Sequence, residues 1–209
     1  MSGNYGSDAN FSNKQMVDFR NFAQSQGYGT SIAPEECDLY DKILIDPAAA
    51  VNSPEVVTFY DQATTDIFTT VQDPVIRNGA QIPTQNLLGI YAVGLEIQID
   101  DREIVDAQVD VLAQAYSNSV FELFLAGDRQ FMAKGSQLIN YVGQSGVGAG
   151  GGPASQVTNQ TMHVLPSTKL VMPGSTIRAI LQIDGSNPAW QNAPKHACVL
   201  HVWAYNARR

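Results

Sequence analysis

Residues 89–100, GIYAVGLEIQID, form the stretch of sequence that decides the fold class. Apolar side chains recur here at every second position, and we expect five of them to share one face: Tyr91, Val93, Leu95, Ile97 and Ile99. Glu96 and Gln98 fall between them, on the opposite face. Because successive side chains of a strand point to opposite sides, this period predicts a long strand in a sheet with one buried face.

The same alternation recurs on both sides of this strand. TIRAILQI at 176–183 and VFELFLA at 120–126 repeat it clearly. Weaker strand patterns occupy residues 42–45, 56–60, 66–71, 130–133, 137–142, 162–165, 169–172 and 197–205. Ala126-Gly127-Asp128 and Pro173-Gly174 each predict a tight turn between two strands. Many short strands with turn signals are typical of an all-β sandwich or barrel.

Two stretches interrupt the strand pattern. In EIVDAQVDVLAQAYSNS, residues 103–119, apolar side chains recur at helical spacing, which predicts one inserted helix of about three turns. Residues 143–153, GQSGVGAGGGP, contain six glycines in eleven positions and predict a long flexible loop. Because this loop lies inside the strand series, we assign residues 37–209 to one β-sandwich domain.

The first 36 residues are predicted to be an N-terminal arm. Residues 1–15 are rich in Ser, Asn and Gly, which predicts a mobile segment. A short amphipathic helix follows, with Ser12 as its cap and Gly27 as its end. Its apolar face consists of Met16, Phe19, Phe22 and Ala23. Two interpretations stay open, a helix that packs on its own domain and an arm that docks on a neighbouring subunit.

Composition excludes several classes of protein. The chain has 209 residues, of which 44% are hydrophobic and only 15% charged. A chain of this length buries a sizeable core without a metal or disulfide. With 12 Lys and Arg against 20 Asp and Glu, the net charge of −8 argues against sequence-wide affinity for nucleic acid or anionic membranes. No apolar run approaches the roughly 20 residues of a membrane span, and the N-terminal residues do not resemble a signal peptide.

The sequence has no nucleotide-binding motif in its required structural context and no motif of a catalytic nucleophile. Gly146, Gly148 and Gly151 match G-x-G-x-x-G, but no helical pattern follows them, so we interpret them as loop residues. No serine lies in a G-x-S-x-G elbow, and neither Cys37 nor Cys198 lies in a recognised flanking signature of a catalytic cysteine. Two cysteines are also too few for a disulfide scaffold, which favours a reducing compartment.

The histidines His163, His196 and His201 do not form a metal-binding pattern. His196 and His201 are five residues apart, so in one strand they point to opposite faces. No Asp or Glu lies within ten residues of either one. We therefore predict no catalytic, cofactor-binding or metal-binding residues, no cofactor, and no enzymatic activity.

The charges are unevenly distributed along the chain. Residues 1–36 sum to −2, residues 37–127 to −11 and residues 128–209 to +5. An acidic part and a basic part allow head-to-tail pairing of copies, although a solvated surface without a partner explains the same distribution. The acidic stretch comprises Asp100, Asp101, Glu103, Asp106 and Asp110. It favours the start of a helix, and calcium binding between subunits is the alternative.

The assembly of these features resembles the single jelly-roll capsid proteins of icosahedral viruses and bacteriophages. STKLVMPGSTIRAILQID, residues 167–184, looks like the late strand, Pro-Gly turn and strand of such coats. VLHVWAYNARR, residues 199–209, looks like their last long strand. The resemblance implies an all-β, jelly-roll-type antiparallel β-sandwich with one inserted helix and an N-terminal arm.

The resemblance also implies a structural role without catalytic residues. It implies a component of the virion, assembled in the host cytoplasm, that forms homo-oligomers such as trimers or pentamers within a shell and contacts other virion proteins. One departure concerns the arm, which has only Lys14 and Arg20 against four acidic residues, whereas coats that package RNA usually have a strongly basic arm. This favours a phage whose genome is packaged by other means, or a minor component, without direct nucleic-acid binding.

Two other functions remain open from the sequence. A β-sandwich binding module, such as a carbohydrate-binding or adhesion domain, is the first alternative. In that case Trp190, within DGSNPAWQNAP at 184–194, would stack on a sugar. A β-barrel enzyme is the second alternative, and it would need a carboxylate pair that the spacing along single strands does not supply.

Overall fold

Two β-sheets packed face to face make up the core of the computed structural model, which describes residues 5–28, 35–48, 55–60, 81–82, 84–99, 106–142 and 162–208. In chain order the elements are α1 (Tyr5–Ser25), β1 (Glu35–Ile45), β2 (Val56–Phe59), β3 (Asn86–Ile99), α2 (Asp106–Ala115), β4 (Val120–Leu125), β5 (Asp128–Lys134), β6 (Ile139–Val142), β7 (His163–Val171), β8 (Ile177–Gln182), α3 (Pro188–Gln191) and β9 (His196–Arg208). A 3₁₀ turn over Gly135–Gln137 precedes β6. The all-β sandwich predicted from the sequence is confirmed.

The strands pair in a nested order. The first sheet has the order β1-β9-β3-β6, with β7 also paired to β3, and the second sheet has the order β2-β8-β4-β5. Strand β1 pairs with β9, β2 with β8, β3 with β7 and β4 with β5, and each of these pairs is antiparallel. The short strand β6 pairs in parallel with β3. The sequence-adjacent strands are therefore mostly in different sheets.

The main core lies between the two sheets. Apolar side chains from alternate positions of both inner faces fill it, and they include Leu39, Phe59, Leu95, Ile97, Phe121, Leu123, Ala179, Leu181, Leu200 and Val202. Each of the larger aliphatic and aromatic side chains among them contributes roughly 1.5–3 kcal/mol when it is fully buried. The alternation read from the sequence therefore places the hydrophobic core correctly in these strands.

One residue of the deciding stretch lies on the other face from the one predicted. Val93, Leu95 and Ile97 enter the main core as expected. Tyr91 instead packs in a second cluster on the outer face of the first sheet. The cause is a register shift between Ile90 and Ala92, which adds one residue to β3 and reverses the alternation on one side of it.

Strand β7 joins two strands that the sequence analysis predicted separately. Residues 162–165 and 169–172 belong almost entirely to this one strand, His163–Val171. Its pairing with β3 jumps from Val164 opposite Ala92 to Lys169 opposite Ile90. The residues between them therefore bulge out of the ladder, which explains why the alternation breaks there.

The inserted helix and both predicted tight turns are present. Helix α2 lies between β3 and β4, as predicted. Ala126 and Gly127 both have positive φ, 53° and 88°, which suits the two-residue turn that joins β4 to β5. Gly174 has φ of 75°, and the amide of Ser175 donates to the carbonyl of Met172, which gives the type II turn expected after Pro173. The predicted strand 66–71 and the predicted loop 143–153 lie outside the described residues.

Helix α1 is longer than predicted and packs on its own chain. It begins at Tyr5 rather than near Ser12, so residues 5–15 are helical where the sequence predicted a mobile segment. Its end is as predicted, because Gly27 has φ of 79° and the amide of Tyr28 donates to the carbonyl of Ala23 at 3.0 Å. Among the described residues, no helix is long and apolar enough to cross a membrane.

Candidate functional site

The junction between α1 and the first sheet is a second, smaller core. Phe19 and Ala23 are buried there, and Met16 and Phe22 are partly buried, so the four residues predicted to form the apolar face do so. The sheet contributes aromatic rings, since Tyr205 stacks with both Phe19 and Tyr91 at centroid distances of 5.8 and 4.5 Å. Helix α1 is therefore held by the domain that it precedes.

A groove of about 320 Å³ runs between α1 and the bulged part of β7. Lys14 and Phe22 line it from the helix, and Pro166 and Leu170 line it from the strand. The buried side chain of Gln15 donates from Nε2 to the carbonyl oxygen of Leu165 at 2.8 Å. This hydrogen bond ties the bulge to the helix, so the arrangement positions α1 rather than presenting a reactive group.

Three strands of the first sheet bring one histidine between two carboxylates. His201 on β9 lies 2.8 Å from Asp38 on β1, measured from Nδ1 to Oδ2. Its other nitrogen, Nε2, lies 3.5 Å from Oε2 of Glu96 on β3. The ring also stacks on Trp203 at a centroid distance of 5.5 Å. We call Asp38, Glu96 and His201 the histidine clamp.

The electrostatics of the clamp favour a protonated imidazole. Burial alone would lower the pKa of His201, but the hydrogen bond that it donates to Asp38 and the attraction of Glu96 outweigh it and raise the pKa to about 9. The same contact with His201 lowers the pKa of Glu96, despite its partial burial. Gln98 donates to the other oxygen of Glu96 at 2.5 Å, and Lys42 donates to Gln98 at 2.7 Å. The clamp is thus an ion-pair network that ties β1 to β9 and β3.

The clamp does not have the arrangement of a catalytic or metal site. Each imidazole nitrogen faces a different carboxylate, so neither nitrogen is left to activate a nucleophile or to ligate a metal. Within the described residues, no group of three or more His, Cys, Asp or Glu side chains could hold a metal ion.

His196 is on the opposite face of β9 from His201, as predicted from their spacing. It is fully buried, and its Nδ1 lies 2.7 Å from the carbonyl oxygen of Pro194, so Nδ1 carries the proton. Nε2 therefore accepts a hydrogen bond from the hydroxyl of Tyr116, 2.6 Å away. Burial lowers the pKa of His196 to about 4, and the ring is neutral at physiological pH.

Asp41 is a buried carboxylate on the inner face of β1. Its Oδ2 accepts a hydrogen bond from the amide of Tyr60 at 2.6 Å, whereas Oδ1 has no partner. Burial raises the pKa of Asp41. Tyr60 has φ of 60°, which is unusual for a side chain of this size, so the carboxylate holds a strained turn at the end of β2.

The remaining residues that the sequence singled out do not converge on a site. Cys198 is buried in the main core, where burial raises the pKa of its thiol, and Cys37 is partly buried. The ring of His163 packs beside Phe131 at a centroid distance of 5.4 Å. Helix α2 begins at Asp106, in agreement with acidic residues at its start. Asp100, Asp101, Glu103 and the glycines 146, 148 and 151 lie outside the described residues.

The histidine clamp is the feature that sequence reasoning missed. No acidic residue is near His201 along the chain, because its partners are 163 and 105 positions away. They meet only because β9 lies between β1 and β3. The outward position of Glu96 in the alternating stretch was visible in the sequence, but the pairing of the strands was not.

Comparison with models of known protein families finds no family that matches this chain. Comparison with curated protein sequences likewise finds no similar protein.

Proposed function

We propose that this chain is a structural component of a virus or bacteriophage particle and that it acts by symmetric self-assembly. Its place is the virion, after assembly in the host cytoplasm, and its partners are copies of itself and other virion proteins. The role is structural rather than enzymatic.

The nested strand order is the observation that carries this proposal. When the short strand β6 is set aside, eight strands pair first with last: β1 with β9, β2 with β8, β3 with β7 and β4 with β5. A ribbon that doubles back at the β4–β5 turn and wraps into two sheets is the jelly-roll arrangement. The order therefore supports the jelly roll implied by the resemblance to capsid proteins, as does helix α2 between β3 and β4.

The polar clusters of the described residues support a structural role as well. In the histidine clamp both imidazole nitrogens of His201 lie within ion-pair distance of a carboxylate, and His196 is held by Tyr116 and a backbone carbonyl. Asp41 holds a backbone amide. Each of these groups joins elements of the sandwich, which is what a rigid building block requires.

The residue that suggested a carbohydrate-binding module, Trp190, is buried. Trp190 is only 2% exposed, and its ring packs against Tyr116 and His196 at centroid distances of 5.7 and 6.1 Å. A sugar cannot stack on an indole that is enclosed in this way.

Self-assembly is tested on the purified full-length protein. Light scattering behind size exclusion, over a concentration series, measures the mass of the particles, and negative-stain electron microscopy shows their symmetry. We expect defined oligomers or closed shells whose amount increases with concentration. A protein that stays monomeric up to its solubility limit, and that binds glycans in that state, would contradict the proposal and support the binding module.

A further inference from the structure

The outer face of the second sheet is an ordered surface of three cross-strand rows. Strand pairing places residues of the four strands side by side on this face. The face consists of Val56, Gln182, Val120 and Lys134 in one row, Thr58, Ile180, Glu122 and Met132 in the next, and Arg178, Phe124 and Arg129 in the third. We call these eleven residues the outer β-face.

Large apolar side chains of the outer β-face are open to solvent. Val56 is 52% exposed and Met132 is 57% exposed, the two highest values among the large exposed hydrophobic residues of the described chain. Phe124 and Ile180, between them, are half-buried. By contrast, the outer face of the first sheet is covered in part by α1, which buries Tyr91 and Tyr205. The two faces of the sandwich are therefore not equivalent.

The charge of the outer β-face is opposite to that of the chain. It carries Arg129, Lys134 and Arg178 against Glu122, which is held by Arg129 at 2.7 Å and by Gln182 at 3.2 Å. The whole chain has a net charge of −8. A second copy therefore presents, on average, the acidic surface that this basic face attracts.

Two strands of the first sheet are poorly suited to pairing between copies. Strand β7 carries Pro166, which lacks an amide donor, and β1, the edge of the first sheet, carries Glu36 and Asp38. Proline and charged side chains prevent edge-to-edge pairing of strands. Edge-to-edge contact between copies through these two strands is thus disfavoured.

We propose that the outer β-face is the surface through which one copy of this chain docks on the acidic surface of a second copy. The inference rests on the proposed function, since it names the contact by which self-assembly occurs. Arginines around exposed apolar side chains are the composition typical of protein interfaces. A nucleic-acid surface needs many phosphate contacts. The outer β-face has only three cations, and the apolar side chains of Val56, Met132 and Phe124 lie among them, so it does not suit nucleic acid.

The test compares two charge variants of the face with a matched control. Met132→Glu and Arg178→Glu change exposed residues of the outer β-face, and Met172→Glu introduces the same side chain at a position that is 44% exposed in the turn after β7. Light scattering gives the concentration at which half of the full-length protein is assembled. Circular dichroism and thermal unfolding verify that each variant is folded.

We expect both face variants to raise this concentration at least about tenfold, a change that corresponds to roughly 1.4 kcal/mol, and Met172→Glu to leave it unchanged. If the wild-type protein assembles and the folded face variants assemble equally well, the inference is wrong while the proposed function stands. If the wild-type protein never assembles, both the inference and the proposed function are wrong. Gel-shift assays with DNA and RNA complete the test, because nucleic-acid binding that the face variants lose would reassign the face and overturn the inference.

Discussion

The ring of Phe19 on α1 lies directly over Gly89 on β3, in the space that any larger residue at position 89 would fill. A Cβ atom added to Gly89 would overlap the ring of Phe19 and come within 2.8 Å of the methyl group of Thr168. Real Cβ atoms do not approach other atoms so closely. The absence of a side chain at one strand position thus allows the helix to dock on the sheet.

Substitutions at this contact should reveal how firmly α1 is attached. We expect Phe19→Ala to lower the free energy of unfolding by about 3 kcal/mol, because it removes a buried ring. Gly89→Ala should cost roughly 1–3 kcal/mol through overpacking. Urea denaturation, with hydrogen exchange of the α1 amides, measures both effects. Val17→Ala is the control, since Val17 is 49% exposed on the same helix and should change stability by less than about 0.5 kcal/mol.

A double variant separates steric overlap from other effects of the alanine at position 89. If the overlap is with the ring, Gly89→Ala should cost much less in a Phe19→Ala background than in the wild-type chain. Equal costs in both backgrounds would show that the overlap is not with the ring of Phe19.

The sequence was sufficient for the fold class because alternation survives in most strands. The inner-face residues of β3, β4, β8 and β9 follow the period of two, and the turn at Gly174 has the conformation that Pro-Gly predicts. Tyr91 was placed on the wrong face because a bulge reverses the alternation without leaving a signal in residue type. The sequence pattern does not predict the start of α1, because the mostly polar residues before Lys14 show no apolar residues at helical spacing.

The clusters of polar residues were less predictable than the fold. The partners of His201 are on strands far apart in the chain, so only the pairing of β9 between β1 and β3 brings them together. Asp41 interrupts the apolar inner face of β1, and its role follows only from the position of the amide of Tyr60. Contacts of this kind depend on register, which single-strand patterns do not specify.

The histidine clamp predicts a loss of stability on the alkaline side. The pKa of His201 is raised from 6.5 to about 9 in the folded protein, so the folded state holds this proton more tightly than the unfolded state. Its contribution is complete below pH 6.5 and is lost as the pH rises through 9. We expect the free energy of unfolding to fall over this range, and His201→Gln to flatten the decline. His163→Gln, whose ring packs beside Phe131 rather than between carboxylates, should keep the wild-type pH profile.

The buried histidine predicts the opposite dependence. The pKa of His196 is lowered from 6.5 to about 4 on folding, so the unfolded state binds the proton more tightly. Its contribution is complete above pH 6.5 and is lost as the pH falls through 4. Denaturation of wild-type protein and His196→Gln at several pH values between 4 and 7 should show a steeper acid-side decline in the former. A decline of equal slope in both would assign it to carboxylates instead.

The hydroxyl of Tyr116 provides a separate test of the same site. Because Nδ1 of His196 donates to Pro194, Nε2 depends on this hydroxyl for its hydrogen bond. Tyr116→Phe keeps the aromatic ring and removes the donor, so we expect a loss of about 1–3 kcal/mol at pH 7 from an unpaired buried acceptor. Urea denaturation checks this, and an unchanged stability would show that water or another donor replaces the hydroxyl.

Asp41 should show that its hydrogen bond matters more than its charge. Its pKa is raised by burial, so its contribution to stability is present in full below the unfolded pKa of 3.8 and decreases as the pH rises through the higher folded value. Asp41→Asn keeps an oxygen for the amide of Tyr60 and removes the buried charge, and we expect it to be at least as stable as the wild type at pH 8. Asp41→Ala leaves that amide without its acceptor and should lose about 1–3 kcal/mol. Urea denaturation of the three proteins at pH 5 and pH 8 makes the comparison. Equal losses in both variants at pH 8 would mean that the negative charge itself stabilises the turn at Tyr60.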